Sequence, residues 1–315
     1  MNTPVVASPS FADDVRRHLQ LTPRQLPSRY LYDPLGSALF DAICELPWYG
    51  ITRAESRLLS NHRGEIFARV AGLGRIVELG PGDGRKLQTL LEGTAEPLIA
   101  HLIDVSAGAL ARAVHTLSDS ANVTVVSHEA SFEDGLEDIA RLPPDGMQLV
   151  LFLGSNLGNF DPAAAAQLLR RIRASLEHGG ALLIGVDLVK PERDLLLAYD
   201  DPLGVSAAFN LNILHRVNAE LGGDFDLRAF RHRAVWNPAC SRMEMFAVST
   251  GAQRVRISAI DLNIDLEDGE AIWTESSYKY TAEGLIRQLE DAGFDPAAQW
   301  IDREDAFALT LADAI

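Results

Sequence analysis

Read for the spacing of its apolar positions, the chain changes character twice. Its first 50 residues are punctuated by proline and aromatic side chains, as in Pro27-Ser-Arg-Tyr-Leu-Tyr-Asp-Pro-Leu-Gly36, which predicts short helices joined by ordered loops. A capping box, Thr52-Arg-Ala-Glu55, then opens a stretch with Leu58, Leu59, Ile66, Phe67 and Val70 at helical spacing. From there apolar strand-length runs at 75–79, 98–103, 123–126, 149–153 and 181–186 alternate with helical stretches. The helix before the last run is well marked. Asp161 is its N-cap, Pro162 its first residue, Leu168, Leu169, Ile172 and Leu176 its buried stripe, and Gly179-Gly180 its stop. Continuous apolar strands alternating with amphipathic helices predict a parallel sheet covered on both faces.

After Lys190 the period changes. A helical stretch at 207–221 precedes four alternating runs, His-Arg-Ala-Val-Trp236, residues 241–248, residues 253–266 and residues 272–280, with polar turns between them. Thr281 starts a further helix that stops at Gly293, and 305–312 reads as a last apolar strand. The fold class expected is α/β, with a Rossmann-like sheet from 53–190 plus 281–315 and a second, smaller α+β domain from 1–52 plus 191–280.

Charge narrows the partners. The 315 residues carry 28 Lys plus Arg against 44 Asp plus Glu, a formal net charge of −16. Phosphate backbones and anionic lipid repel such a chain, so neither nucleic acid nor a membrane surface is an expected partner. No apolar run approaches the roughly 20 residues of a membrane helix, and Met1–Leu19 lacks the basic-then-apolar pattern of a secretory signal. A cytoplasmic protein is expected, and a monomer is admissible. Two cysteines, Cys44 and Cys240, and scattered histidines such as His62, His101, His128, His178, His215 and His232 offer no ligand spacing, so no metal site is expected.

The sharpest chemical signal is Val77-Glu-Leu-Gly80-Pro-Gly82-Asp-Gly84, where the first strand meets a helix. Closely spaced glycines let the backbone turn sharply and approach a ligand. A dinucleotide fingerprint would need its third glycine at 85, which is Arg85, and Glu78 would repel a pyrophosphate. Glu78 suits a cofactor that brings positive charge, such as S-adenosylmethionine. Asp104 ends the next strand, where a carboxylate can accept ribose hydroxyls.

Longer segments carry a resemblance. Tyr30–Phe40, Leu46–Glu55, Phe152–Asn159, Asp187–Lys190, Ala198–Asn210, Arg242–Met245 and Thr274–Ser277 resemble the histidine-specific Nα-methyltransferases of ergothioneine biosynthesis, a branch of the class I S-adenosylmethionine-dependent methyltransferases. The likeness runs from about Leu26 to Ala312. It implies an enzyme that moves three methyl groups successively from S-adenosylmethionine to the α-amine of L-histidine, giving hercynine and S-adenosylhomocysteine. Matched residue by residue, it implies that Tyr49 lies next to the reacting amine, with Tyr32, Gly154 and Phe209 completing the wall. Asn159 and Tyr199 are then the pair for the substrate carboxylate, Glu275 and Ser277 the imidazole readers, and Met245 the packing against that ring. On the cofactor side it implies Gly80, Lys86 and Asp104, with Phe132 near the adenine. Ser131 stands where the family usually has an acid, which leaves Glu133, Asp134 or a backbone carbonyl to read the adenine amino group.

The residue chemistry agrees with these roles. Glu275 and Ser277 are two apart in a strand-like run and share a face. A carboxylate with a hydroxyl can hold both nitrogens of a neutral imidazole. Two other readings stand beside this one: a related methyltransferase acting on another amino acid or a histidine derivative, and, more remotely, a nicotinamide-dependent dehydrogenase.

Overall fold

The computed structural model describes residues 10–94, 96–118, 120, 122–143, 146–177 and 179–315. His178, named above, lies outside them. In chain order the elements begin with α1 (Phe11–Leu19) and α2 (Pro34–Cys44), followed by α3 (Ile51–Arg69). An alternating series follows: β1 (Leu73–Leu79), α4 (Arg85–Leu91), β2 (Leu98–Asp104), α5 (Ala107–Leu117) and β3 (Val123–Glu129). It continues with α6 (Phe132–Ala140), β4 (Met147–Phe152), α7 (Pro162–Ser175) and β5 (Ala181–Asp187). Next come α8 (Glu192–Tyr199), α9 (Val205–Leu221), β6 (Phe230–Asn237), β7 (Arg242–Ser249), β8 (Gln253–Ile257), β9 (Leu262–Leu266) and β10 (Ala271–Tyr278). The chain closes with α10 (Ala282–Asp291), β11 (Phe294–Asp302) and β12 (Phe307–Ala314). Internal contacts divide the chain into two units, Met1–Tyr49 with Glu192–Ser276 and Gly50–Pro191 with Ser277–Ile315.

The second unit holds a seven-stranded sheet in the order β11-β12-β5-β4-β1-β2-β3. β1 pairs parallel with β2 and β4, β2 with β3, and β4 with β5. β12 runs antiparallel to both its neighbours, β5 and β11. This is the Rossmann-like sheet expected from the sequence, and each parallel pairing needs the crossover that a helix provides. Every residue of β5 is buried, as a central strand covered on both faces requires. On one face Val77, Leu79, Val150, Phe152, Leu182 and Ile184 pack with side chains of α6, α7 and α10. By alternation Ile76, Glu78, Leu151 and Gly185 turn to the other face.

Local chemistry explains the helix starts. Asp161 Oδ1 accepts from the backbone N–H of Ala163 at 3.0 Å and Ala164 at 2.9 Å, with Pro162 at the first position of α7 as anticipated. The helix ends at Ser175, short of the glycine pair. The capping box expected at Thr52 does not form. α3 starts at Ile51 after Gly50, without a side-chain cap, and Glu55 turns inward, its side chain fully buried. A buried ion pair and two backbone contacts, described below, hold it instead.

Strand β11 was not anticipated. It sits at the sheet edge, contains Pro296 beside a register shift, and alternates too weakly to announce itself.

In the first unit β10, β7 and β6 form a three-stranded sheet, with β6 and β7 antiparallel and Ala234 opposite Met245. The run 253–266 read as one strand is in fact a separate two-stranded pair, β8 and β9, broken by a turn over Ser258–Ile260 and by Asp261 at φ 46°. α9 packs on α2, β6 and β7. Among the described residues no helix is long and apolar enough to cross a membrane.

Candidate active site

At the end of β1 the backbone passes through Gly80 (φ 70°), Gly82 (φ 60°) and Gly84 (φ 80°) before α4 begins. A side chain is strained at such angles, and at Gly80 space is also short. A Cβ there would lie 2.9 Å from Asn156 Nδ2 and 3.4 Å from Phe132 Cζ. Around Gly82 there is open space. Phe132 itself, first residue of α6, rests edge-on against Phe152 with centroids 5.7 Å apart. Ser131 caps α6, accepting from Asp134 N at 3.1 Å and donating to Asp134 Oδ2 at 2.8 Å. Asp134 is thereby engaged in the helix cap.

Glu78 is 1% exposed, and its Oε2 has no hydrogen-bond partner. Burial pushes its carboxyl up to about 8; Lys86 opposes the rise, while Glu55 and Asp83 add to it. Lys86, in the first turn of α4, places Nζ 2.6 Å from Glu55 Oε2. Both oxygens of Glu55 also accept from Gly154 N at 2.9 Å. Gly185 leaves the room this needs, because a Cβ there would stand 2.0 Å from Glu55 Oε1. Glu55 is thus a functional candidate the sequence reading missed. The signal was present: Glu55 lies four residues before Leu59 and eleven before Ile66, on the buried stripe of its own helix.

Asp104 ends β2 with Oδ1 accepting from Ser106 N at 2.8 Å. Burial raises its pKa, against the backbone N–H groups of Ser106 and Val105 and the charge of Arg112. The S-adenosylmethionine implied by the sequence fits these residues. An orphaned buried carboxyl oxygen calls for a cation or a donor, the glycine turn leaves backbone open to a ligand, and Asp104 stands where ribose hydroxyls are read.

The same unit carries Gly154 (φ 75°), Asn159 and Ser277. Asn159 is exposed at the end of a short helical turn, Asn156–Asn159. Gly158 lets that turn approach Tyr278, whose carbonyl oxygen would stand 2.7 Å from a Cβ. A bridge between Leu188 and Tyr280 brings Lys279 beside Asp187. Asp187, 1% exposed, takes Lys279 Nζ at 2.9 Å and Lys190 Nζ at 2.7 Å. Lys279 Nζ also donates to Ser277 Oγ at 3.0 Å. An ammonium only donates, so Ser277 accepts there and directs its own hydrogen elsewhere.

The first unit gathers the aromatic residues. Tyr32 meets Phe209 at 5.4 Å between ring centroids, and Tyr49 meets Tyr199 at 6.5 Å. Phe40, assigned no role from the sequence, joins the two pairs, 5.4 Å from Tyr32, 5.8 Å from Phe209 and 6.1 Å from Tyr49. Tyr49, Tyr199, Phe209, Met245 and Glu275 are all buried. Trp273 Nε1 donates to the Glu275 carbonyl at 2.8 Å, fixing the backbone of β10 there. Among the described residues no group of three or more His, Cys, Asp or Glu could hold a metal ion.

The profile of a family described as "Histidine-specific methyltransferase, SAM-dependent" matches residues 11–314. A histidine N-alpha-methyltransferase of Mycolicibacterium smegmatis is 40% identical over 97% of this chain and 95% of its own length. The protein of that name from Mycobacterium tuberculosis is 39% identical over 95% of this chain and 93% of its own. Among solved structures, a SAM-bound amino pentose methyltransferase from Micromonospora echinaspora is similar at a TM-score of 0.47 and 14% identity, covering 90% of this chain and 98% of its own. The glycine turn with its acid and the whole-length match lead to one conclusion: the chain belongs to the histidine-specific, S-adenosylmethionine-dependent methyltransferases.

Proposed function

We propose that this chain is an L-histidine Nα-methyltransferase that carries the α-amine through successive transfers to the trimethylated product, hercynine, the first step of ergothioneine biosynthesis. The residues of 53–190 and 281–315 bind the cofactor, and those of 1–52 and 191–280 supply most of the contacts to the amino acid. The protein acts as a cytoplasmic monomer with a small-molecule substrate and neither nucleic acid nor membrane as partner.

The observation that carries this reading is the pair Glu275 and Ser277, two apart on β10 and both buried. A neutral imidazole has one N–H and one bare nitrogen. Glu275 accepts from the first, and Ser277, whose oxygen already accepts from Lys279, donates to the second. Met245 packs against the ring. Asn159 and Tyr199 donate to the substrate carboxylate, while the phenol oxygen of Tyr49 accepts from the amine and orients its lone pair. When bound, S-adenosylmethionine supplies an electrophilic methyl carbon on a sulfonium. Glu78, Gly80, Gly82, Lys86, Asp104 and Phe132 hold it. Little acid–base help is needed, and the work of the chain is alignment.

Titrating the S-adenosylhomocysteine-loaded protein with L-histidine and with L-phenylalanine tests the reading. Phenylalanine has the shape without the ring nitrogens, and the loss of the hydrogen bonds to Glu275 and Ser277 weakens its binding about 100-fold or more. Equal binding of the two amino acids overturns the imidazole assignment.

A further inference from the structure

In the unit of Met1–Tyr49 and Glu192–Ser276, the segments bearing Tyr199, Phe209, Met245 and Glu275 converge on one buried set of polar side chains. His232, on β6, has Nε2 2.9 Å from the Tyr199 carbonyl oxygen and Nδ1 2.8 Å from Asn210 Nδ2. Asn210 follows Phe209 on α9, and its Nδ2 also donates to the Phe246 carbonyl at 3.0 Å. Asn210 Oδ1 takes the hydroxyl of Thr274, the residue before Glu275, and that hydroxyl oxygen lies 2.9 Å from the Met245 carbonyl as well. Asn210 is 0% exposed and Thr274 1%.

The donors and acceptors can be ordered. A carbonyl oxygen only accepts, so His232 carries its hydrogen on Nε2 and leaves Nδ1 bare for Asn210. That sets the Asn210 carboxamide with nitrogen toward His232 and Phe246 and oxygen toward Thr274. A hydrogen on Nδ1 would set donor against donor and undo the order at both ends. We propose that His232, as the Nε2–H tautomer, is a positioning residue that holds the Tyr199, Phe209, Met245 and Glu275 segments in register through Asn210 and Thr274. Burial keeps the ring neutral by lowering its pKa, against the Tyr199 carbonyl and the charges of Asp200, 3.9 Å away, and Asp201. The inference rests on the amino-acid-binding role of those four residues.

Steady-state kinetics with histidine and donor varied separately test it on His232→Leu, His232→Gln and Thr274→Val. Leucine removes both ring bonds, and KM for histidine rises about tenfold or more while S-adenosylhomocysteine affinity stays within about twofold. Glutamine offers a donor and an acceptor across one carbon, as imidazole does, and returns KM to within about threefold of wild type. Thr274→Val keeps the shape and loses the hydroxyl, and should raise KM even if the leucine variant does not fold. In the wild type, ring nitrogen NMR should show the Nε2–H form at pH 7. An unchanged KM in the folded variants, no rescue by glutamine, or an Nδ1–H ring overturns the proposal. Wild-type protein that turns over no histidine refutes the substrate reading instead, and the ring tautomer still decides the network.

Discussion

Glu55 on α3 and Glu78 on β1 are both buried carboxylates within reach of Lys86, and they are treated in opposite ways. Glu55 is fully matched, by the Lys86 ammonium at 2.6 Å and the Gly154 N–H at 2.9 Å. Glu78 keeps one oxygen with no partner and is driven toward its neutral form. The difference separates structure from readiness: a matched buried charge fixes a loop, whereas an unmatched one is stable only when protonated or when a ligand arrives. The first unit repeats the closed arrangement at His232, both of whose nitrogens are engaged.

Breaking the matched member should have the largest effect. Glu55→Ala removes the fully buried carboxylate that meets the Lys86 ammonium and the Gly154 N–H. It is expected to cost about 3 kcal/mol of stability in urea unfolding and to weaken S-adenosylhomocysteine binding. Full stability in that variant would mean the pair is ornamental. Next comes Glu275→Ala, expected to lower kcat/KM for histidine about 100-fold with cofactor affinity unchanged; loss of cofactor binding in calorimetry would place Glu275 elsewhere.

The unmatched member is best probed by pH. Its folded-state pKa of about 8 lies above the 4.5 of an exposed glutamic acid. The stability held by the neutral form is therefore full below about pH 4.5 and lost as the pH rises through about 8. The α-ammonium group, which S-adenosylhomocysteine shares with S-adenosylmethionine, would reverse that preference beside Glu78 and displace the proton. Calorimetry of S-adenosylhomocysteine binding in buffers of different ionisation enthalpy should register proton release near pH 7, with affinity rising by at most about tenfold per unit toward pH 8. Glu78→Gln should abolish the release, and an unaltered release in that variant would assign it to another group. The smallest effect is expected at Thr52, which does not cap α3. Thr52→Ala should shift stability by less than about 0.5 kcal/mol, where loss of a working cap costs about 1 kcal/mol.

The same contrast explains what could be read from the sequence. The sheet was legible because central parallel strands are continuous apolar runs, and α7 because Asp161 and Pro162 mark its start. Gly80, Glu78 and Asp104 were legible because a turn with positive φ needs glycine, Glu78 stands just before that turn and Asp104 closes the next strand. Glu55 was misread because a local pattern, Thr-x-x-Glu, matched a cap that tertiary contacts override. β11 was hidden by Pro296 at an edge, and the β8–β9 break by Asp261, a left-handed turn made without glycine. His232 looked like one scattered histidine, since its partners Tyr199 and Asn210 come from other elements, 33 and 22 residues away in sequence.

Methyl transfer to the α-amine of histidine is the activity at stake. The most direct measurement is mass spectrometry of an amino-acid panel incubated with the protein and S-adenosylmethionine carrying a labelled methyl group. Histidine alone should gain label on its α-nitrogen, passing through singly and doubly methylated forms to the trimethylated one. Label on another amino acid with none on histidine would contradict the account.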